Sequence, residues 1–283
     1  MLSLPRLESI DYLLIGHLSR DLTPDGDRLG GTVAYAALTA YALGLRVGIV
    51  TSWGYEFPLE PYLGLLPIIN TPTDSSTTFE NIKTSDGRIQ IIHNVAASLD
   101  LHMIPEIWLD TPIVHLAPIA QEVDPTLVRH LPYSMIGITP QGWLREWDQN
   151  GRVSLTEWPE AAFVLERAGA TVLSIEDVRH EEERIEEFAT ASRVLVVTEG
   201  ASGGRVFWNG DVRRFAAPKV DPIDEVGAGD IFATAFFHRF HLTRDPWEAA
   251  RFAAQLASNS VTRSGMAGIP TPDEIQSATV EVL

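Results

Sequence analysis

Six short apolar runs recur along the chain, and segments of helical length separate most of them. Several are near-continuous rather than alternating, which is typical of strands buried on both faces of a parallel sheet. Amphipathic segments such as 33–43 and 158–167 predict helices between them. This alternation predicts an α/β fold with a central, mostly parallel sheet flanked by helices. The runs are residues 12–15, 47–50, 113–116, 135–138, 171–175 and 194–197.

Two segments depart from the alternation and predict hairpins. Residues 77–83 and 88–93 flank Ser85-Asp86-Gly87, and the Asp-Gly pair is typical of a tight turn. Residues 204–208 and 212–215 flank Asn209-Gly210 in the same way. An isolated hairpin is only marginally stable, so we expect each to pack on the rest of the fold.

Composition limits the class of protein. The 283 residues are 45% hydrophobic and 21% charged, which suits one large globular domain, with at most a small appendage. The sequence has no cysteine, which excludes disulfides, cysteine-ligated zinc, iron–sulfur clusters and thiol nucleophiles.

Charge limits the partners. The formal net charge is −17, from 38 acidic and 21 basic residues. Binding to nucleic acid or to an anionic membrane needs a basic surface, so we expect neither partner. The N-terminus lacks the long apolar core of a secretory signal, and no apolar stretch reaches the roughly 20 residues that span a bilayer. The sequence therefore predicts a cytoplasmic protein.

The most informative motif is DEVGAGD at residues 224–230, which runs directly into a helix predicted over residues 228–240. Backbone N–H groups at a helix start have no partner within the helix. Small side chains let an anion approach them, and the helix dipole adds about 0.3–1 kcal/mol. Asp230 in the first turn can accept a proton from an attacking hydroxyl group. The motif equally fits a glycine-rich helix start in which Asp230 only caps the helix.

Three other segments fit a ligand site at the strand ends. VTEGASGG at residues 197–204 follows a predicted buried strand, and its glycines let a nucleotide approach the backbone; a tight turn alone would explain them too. GHLSRD at residues 16–21 places Asp21 in a predicted strand-end loop. Gly30 and Gly31 open the predicted helix at 33–43 and leave room for a polyol.

Together and in this order, these motifs resemble the PfkB-type carbohydrate kinases of the ribokinase-like superfamily. The resemblance implies the three-layer ribokinase-like fold, with residues 1–283 as one kinase domain and a small lid that includes about residues 77–93. It also implies transfer of the γ-phosphate of ATP to a hydroxyl group, with Mg²⁺ as a cofactor. The acceptor would be a small-molecule sugar, polyol or nucleoside, and the enzyme a monomer or homodimer.

The resemblance further implies roles for individual residues. Asp230 would be the catalytic base, and Asp177 would reach the metal through water. The remaining implied positions are an anion hole at Gly227, Ala228 and Gly229; nucleotide contacts at Thr198, Gly200 and Gly203; and acceptor contacts at Asp21, Gly30, Gly31, Gln141 and Arg145.

Some positions depart from the family pattern. Glu225 stands where the family usually has threonine, which leaves a requirement for a monovalent cation open. Ser174 replaces the asparagine of the family's N-x-x-E motif, and Tyr35 replaces a sugar-contacting asparagine. Residues 141–145 are similar to the myo-inositol kinase-like branch. The alternatives are a sugar or cyclic-polyol kinase, a nucleoside kinase of the same superfamily, and a catalytically weak sugar- or nucleotide-binding regulator.

Overall fold

The computed structural model describes residues 7–64, 66–84 and 87–282. The strands of this part of the chain, in order, are β1 (Tyr12–Ile15), β2 (Ser19–Leu22), β3 (Arg28–Gly30), β4 (Val47–Ser52), β5 (Ile68–Thr71), β6 (Thr77–Thr84), β7 (Gly87–Asn94), β8 (Ile113–Leu116), β9 (Met135–Ile138), β10 (Arg145–Trp147), β11 (Val153–Leu155), β12 (Ala170–Ser174), β13 (Val194–Thr198), β14 (Gly204–Trp208) and β15 (Asp211–Phe215). The helices are α1 (Thr32–Ala42), α2 (Glu60–Leu63), α3 (Ala161–Leu165), α4 (Glu182–Ala191), α5 (Ala228–Thr243), α6 (Pro246–Ser260) and α7 (Pro272–Val282).

A nine-stranded sheet forms the centre of the fold, in the order β15-β14-β13-β12-β9-β8-β1-β4-β5. The strands from β13 to β5 pair in parallel, whereas β14 and β15 form an antiparallel edge. All six apolar runs form strands of this sheet, so the predicted mostly parallel α/β architecture is confirmed.

The central sheet is buried on both faces. Successive residues of β1 alternate between two apolar clusters: Tyr12 and Leu14 belong to one, and Leu13 and Ile15 to the other. Helices α1, α5 and α6 supply the first cluster, and α3 and α4 contribute to the second. This arrangement explains the near-continuous apolar runs, because both faces of these strands pack against apolar side chains.

A second, four-stranded sheet has the order β3-β2-β6-β7, and we call it the small sheet. Strands β6 and β7 form the first predicted hairpin; its predicted turn at Ser85 and Asp86 lies outside the described residues. The sequence analysis missed β2 and β3, which pair antiparallel over residues 19–21 and 28–30. Asp21 therefore lies within β2, not in the predicted loop, because pairing with β3 and β6 extends the chain there.

The remaining elements agree with the predictions only in part. The second predicted hairpin is confirmed as β14 and β15. The helix predicted over residues 158–167 shortens to α3. Strands β10 and β11 form a two-stranded antiparallel pair that was not predicted. No helix within residues 7–64, 66–84 and 87–282 is long and apolar enough to cross a membrane.

Candidate functional site

A cavity of about 510 Å³ lies between the carboxyl end of the central sheet and the small sheet. The first turns of α1 and α5, the segments after β9 and β12, and side chains of the small sheet line it. Ligands of open α/β sheets bind beyond the carboxyl ends of the strands, so this is the expected place for a site. Among the predicted site residues, the cavity brings together Asp21, Gly31, Gln141, Arg145, Asp177, Gly227, Gly229 and Asp230.

Asp230 lies in the first turn of α5, partly exposed to the cavity. Burial raises the pKa of its carboxyl group to about 6, against a hydrogen bond with Thr32 that lowers it. Asp177 and Asp21 raise the pKa further, whereas the Arg145 guanidinium lowers it. At pH 7 the carboxylate is mostly ionised, yet it is a stronger base than an ordinary aspartate, which suits proton transfer from an alcohol.

Helix α5 begins at a position that requires glycine. Gly227 is its N-cap, with φ of 80° and no side-chain cap. A Cβ atom there would lie 2.1 Å from Cδ1 of Tyr35, whose ring occupies the space. Tyr35, which departs from the family pattern, therefore packs directly under the glycine turn. Because side chains are absent at positions 227 and 229, the first turn of α5 is open to the cavity.

The predicted anion hole is only partly open. A Cβ atom on Gly229 would meet nothing within 4 Å, so this backbone faces free space. Ala228 does not line the cavity, and its N–H already donates to the Glu225 carbonyl at 3.3 Å. Asp224 fixes the turn by accepting from the N–H groups of Val226 and Gly265, at 3.1 and 2.9 Å.

A second glycine-capped helix faces the same cavity. Gly31 caps α1 with φ of 85° and no side-chain cap. Gly30 does not line the cavity, but it lies directly against Asp21: a Cβ atom at position 30 would meet the carboxylate at 2.2 Å. Ser19 holds that carboxylate with a hydrogen bond of 2.7 Å. The absence of a side chain at Gly30 thus lets the Asp21 carboxylate lie close to the segment that leads into α1.

Asp177 is positioned by two hydrogen bonds. Its Oδ1 accepts from Nε2 of Gln141 at 2.9 Å, and its Oδ2 accepts from the N–H of Ser174 at 2.9 Å. Ser174 in turn caps the 3-10 helix Ile175–Val178 that carries Asp177. A serine at this position therefore forms a capping box where the family motif has asparagine.

The fit to Mg²⁺ can be tested on the donor set. No three His, Cys, Asp or Glu residues in the described ranges are grouped so as to hold a metal ion. The cavity nevertheless offers carboxylate oxygens from Glu176, Asp177 and Glu225. Magnesium prefers such hard oxygens and usually takes one or two carboxylates, with water and substrate phosphates completing its coordination. These residues fit a magnesium ion that arrives with a nucleotide, not a preformed metal cage.

Arg145 is one of two basic side chains among the described residues that line the cavity. It lies at the start of β10, where its Nη1 donates to the Ile119 carbonyl at 3.2 Å. Its guanidinium lies 5.7 Å from the ring centroid of Phe79 on β6. Arg145 thus joins the small sheet to the rest of the cavity and places a positive charge near Asp230.

Arg179 is the second basic side chain that lines the cavity, and the sequence analysis missed it. It follows the helix that carries Asp177, and both Arg179 and His180 have positive φ, at 49° and 60°. Positive φ is uncommon in non-glycine residues and is often associated with functional sites. The sequence signal that could have indicated Arg179 was its position two residues after Asp177, the acidic position of the N-x-x-E motif.

The predicted nucleotide loop does not line this cavity. Gly203 has φ of 90°, and a Cβ atom there would lie 2.0 Å from the Phe215 carbonyl oxygen, so the hairpin of β14 and β15 alone requires this glycine. Thr198 lies opposite Ser174 in the register of β13 and β12. The loop with Thr198, Gly200 and Gly203 therefore begins on the strand next to the one that leads to Asp177.

Comparison with known proteins agrees with this architecture. The family described as pfkB family carbohydrate kinase matches residues 156–273. A cytidine kinase of Thermococcus kodakarensis is 27% identical over 274 residues, which cover 90% of this chain and 98% of that protein.

Two solved structures illustrate the fold. A pyrophosphate-dependent myo-inositol-1 kinase, altered to a myo-inositol-3 kinase, superposes with a TM-score of 0.78 at 17% identity, covering 95% of this chain and 99% of that one. An Arabidopsis thaliana ribokinase in complex with ribose and ATP gives a TM-score of 0.75 at 16% identity, covering 96% and 99%.

The sheet order, the flanking helices and these superpositions define a ribokinase-like fold. The motifs between β12 and α7 lie within the matched family region. Residues 156–273 match the pfkB family of carbohydrate kinases, and the chain is a phosphotransferase with an alcohol group as acceptor.

Proposed function

We propose that this kinase uses ATP to phosphorylate a hydroxyl group of a nucleoside, with Asp230 as the catalytic base. The observation that carries this proposal is the Asp230 carboxylate, which faces the cavity beside the glycine-capped start of α5 and has a pKa of about 6. The similarity to a cytidine kinase over almost the whole of that relative supports a nucleoside acceptor.

The acceptor end of the cavity has two chemically distinct walls. One is polar, with the Asp21 carboxylate held by Ser19. The other is apolar and is formed by Phe79, Ile119, Leu144, Val153 and Leu155. A nucleoside matches both, because its ribose hydroxyl groups can donate to a carboxylate while its flat base packs on an apolar wall. Asn81 and Gln90, joined by a 3.0 Å hydrogen bond, add amides that can read the edge of a base.

The donor end is the side of the cavity where α5 begins. The backbone at Gly227 and Gly229 would receive the migrating phosphoryl group, and Arg179, which lines the same cavity, would supply positive charge. Thr198, Gly200 and Gly203 would contact the nucleotide outside this cavity. Mg²⁺, carried in by the phosphates and held through water by Asp177, would neutralise their charge.

The small sheet would act as the lid of one kinase domain, as the resemblance implies for residues 77–93. Arg145 supports this role because it contacts Phe79 of β6 and also acts on Asp230. Closing the small sheet over an acceptor would exclude water from the phosphoryl group.

The reaction follows from this placement. The acceptor hydroxyl oxygen attacks the γ-phosphorus of ATP, and its proton passes to a carboxylate oxygen of Asp230. The bond from the γ-phosphorus to the bridging oxygen breaks, and ADP leaves with that electron pair. Since such transition states are loose, the protein contributes mainly position and charge.

The test is ADP release measured with ATP and a panel of cytidine, uridine, adenosine, ribose and myo-inositol. We expect the highest kcat/KM with a nucleoside and a much lower value with free ribose, which lacks the base. Equal rates with ribose and the nucleosides would contradict the role of the apolar wall. A parallel series measures phosphorylation of the same acceptors with pyrophosphate in place of ATP. Faster phosphorylation with pyrophosphate than with ATP would contradict ATP as the donor.

A cyclic polyol is the second candidate acceptor. The observation in its favour is the set of polar groups that line the cavity, among them Asp21 and the hydrogen-bonded pair Gln141 and Asp177. Highest kcat/KM with myo-inositol in the same panel would support this candidate over a nucleoside. Binding of the acceptors without ADP release from any of them would instead support the regulator alternative.

A further inference from the structure

A second and larger cavity, of about 850 Å³, lies at the opposite end of the central sheet. It is formed around the first residues of β9 and β13, the turn between β14 and β15, and the last residues of α4 and α5. None of the predicted site residues lines it. We call this cavity the amino-end cleft.

The amino-end cleft is basic although the chain is strongly acidic. Its lining includes three arginines, Arg167, Arg193 and Arg244. Asp211 is the one acidic residue among the described residues that line it, and its carboxylate is already 3.3 Å from Arg213. With 38 acidic residues against 21 basic ones in the sequence, a concave surface of this sign is unexpected.

Two of these arginines lack a partner. Within the described part of the chain, Arg193 and Arg244 form no side-chain hydrogen bond and no ion pair, whereas Arg167 contacts Glu166 and the Phe163 ring. Arg244 follows α5 with φ of 58°. A cation at a helix C-terminus is stabilised by about 0.3–1 kcal/mol, which accounts for a single arginine after α5 but not for a shared concave site.

The wall of the cleft also contains enclosed polar atoms. Oγ of Ser192 and Nδ1 of His241 are buried, and neither has a hydrogen-bond partner among the residues that the structure describes. Buried polar atoms are normally satisfied, and both of these exceptions belong to residues that line the cleft. Aromatic side chains of Phe207, Trp208 and Tyr133 also line the cleft.

From these observations we infer that the amino-end cleft binds a small molecule that carries a phosphate group. Guanidinium groups match the geometry of phosphate oxygens, and the aromatic wall suits the organic part of such a molecule. Because the cleft lies across the central sheet from Asp230, its occupant would act as an effector and not as a substrate.

The test is isothermal titration of pyrophosphate into the protein in the presence of Mg²⁺ and a saturating non-hydrolysable ATP analogue. Occupying the catalytic cavity first restricts the measured binding to other sites. We expect the double variant Arg193→Glu with Arg244→Glu to weaken pyrophosphate binding about tenfold or more. The matched control Arg251→Glu, an exposed arginine of α6 outside the cleft, should change it less than about twofold.

Several outcomes decide the proposal. Equal pyrophosphate affinity in the wild type and the double variant would overturn it, as would an equal loss in the control. If the charge reversal prevents folding, Arg193→Gln with Arg244→Gln replaces it and should still weaken binding. The double variant should keep the wild-type affinity for the ATP analogue, because the catalytic cavity is unchanged. Loss of analogue binding in the wild type would count against the proposed kinase function and not against the cleft.

The same titration distinguishes two sources of the phosphate. Adenosine 5′-phosphate and ribose 5-phosphate carry the same phosphate group, but only the nucleotide can stack a base on the aromatic wall. Tighter binding of the nucleotide identifies a nucleotide effector, and equal binding identifies a sugar phosphate; both support the site. Failure of pyrophosphate and both monophosphates to bind the wild type under these conditions would overturn it.

Discussion

The two ends of the central sheet differ in charge and in how their helices terminate. At the carboxyl end, helices α1 and α5 begin at glycines without side-chain caps, and the cavity holds five carboxylates and two guanidiniums within the described residues. At the amino end, α4 and α5 terminate, and three arginines face one carboxylate among the described residues. The same helix α5 thus contributes its start to one cavity and its end to the other.

Under the proposed function, this comparison explains how the acidic end could bind phosphate. A helix start offers partial positive charge through its N–H groups, while the carboxylates offer a base and hard oxygen ligands. The amino end lacks this arrangement and depends on side-chain cations alone. We therefore expect chemistry only at the carboxyl end, and the following predictions test that division.

The largest effect is expected for Asp230→Asn. The amide cannot accept the acceptor's proton, so we expect kcat to fall by about 10²–10⁴-fold while ATP affinity stays nearly unchanged. Steady-state kinetics and titration of an ATP analogue measure the two quantities. An unchanged kcat would remove Asp230 from the role of base and would leave the two ends of the sheet without a functional difference.

A smaller effect is expected for Arg179→Ala. Losing a charge-assisted contact to the donor should lower kcat/KM for ATP by about 10–100-fold. The control is Arg152→Ala, which removes an exposed arginine that does not line the cavity and should leave kcat/KM near the wild-type value. Equal effects of the two substitutions would show that Arg179 acts only through the net charge of the protein and not through a direct contact with the donor.

The glycine at the start of α5 can be tested against a matched glycine. Gly227 and Gly210 have nearly equal φ, at 80° and 79°, but only at Gly227 would a Cβ atom strike a side chain, that of Tyr35. Gly210→Ala should cost about 1 kcal/mol of unfolding free energy from the backbone alone, and Gly227→Ala about 1–3 kcal/mol more. Denaturant unfolding measures both, and equal losses would contradict the close packing seen here.

The smallest effect concerns stability and pH. Because the pKa of Asp230 is raised from 3.8 to about 6 in the folded protein, this carboxyl costs stability as the pH rises from about 4 to about 6, and the cost is complete above pH 6. Asp230→Asn should therefore raise the unfolding free energy by about 1–3 kcal/mol at pH 8. Below about pH 4 the carboxyl group is protonated in both states and the gain should vanish. A gain of equal size at both pH values would show that burial of charge is not its cause.

The sequence predicted the central sheet well because its signals are local. Each of the six apolar runs forms a strand, and the segment after Gly227 forms α5, because burial on both faces leaves a strong apolar pattern. The small sheet was only half predicted. Strands β2 and β3 are short and partly exposed, and β2 lies beside β6 across more than fifty residues, which a local pattern cannot show.

Motifs identified the candidate site residues that lie within them. Residues of the cavity outside any motif were missed. The motifs singled out Asp21, Asp177 and Asp230, which line one cavity, and the roles assigned to them stay predictions. The packing of Tyr35 under Gly227 and the approach of Arg179 depend on side-chain packing and on unusual backbone angles, which a sequence does not reveal. The amino-end cleft was missed because its arginines are scattered from residue 167 to residue 244.

The most direct test of the account is the pH dependence of kcat/KM for the acceptor at saturating ATP and Mg²⁺. If the ionised Asp230 carboxylate accepts the proton, kcat/KM should be level above neutral pH and fall about tenfold per pH unit below an apparent pKa of about 6. A profile that stays level down to pH 4.5, with the protein still folded, would contradict the claim that the Asp230 carboxylate is the base.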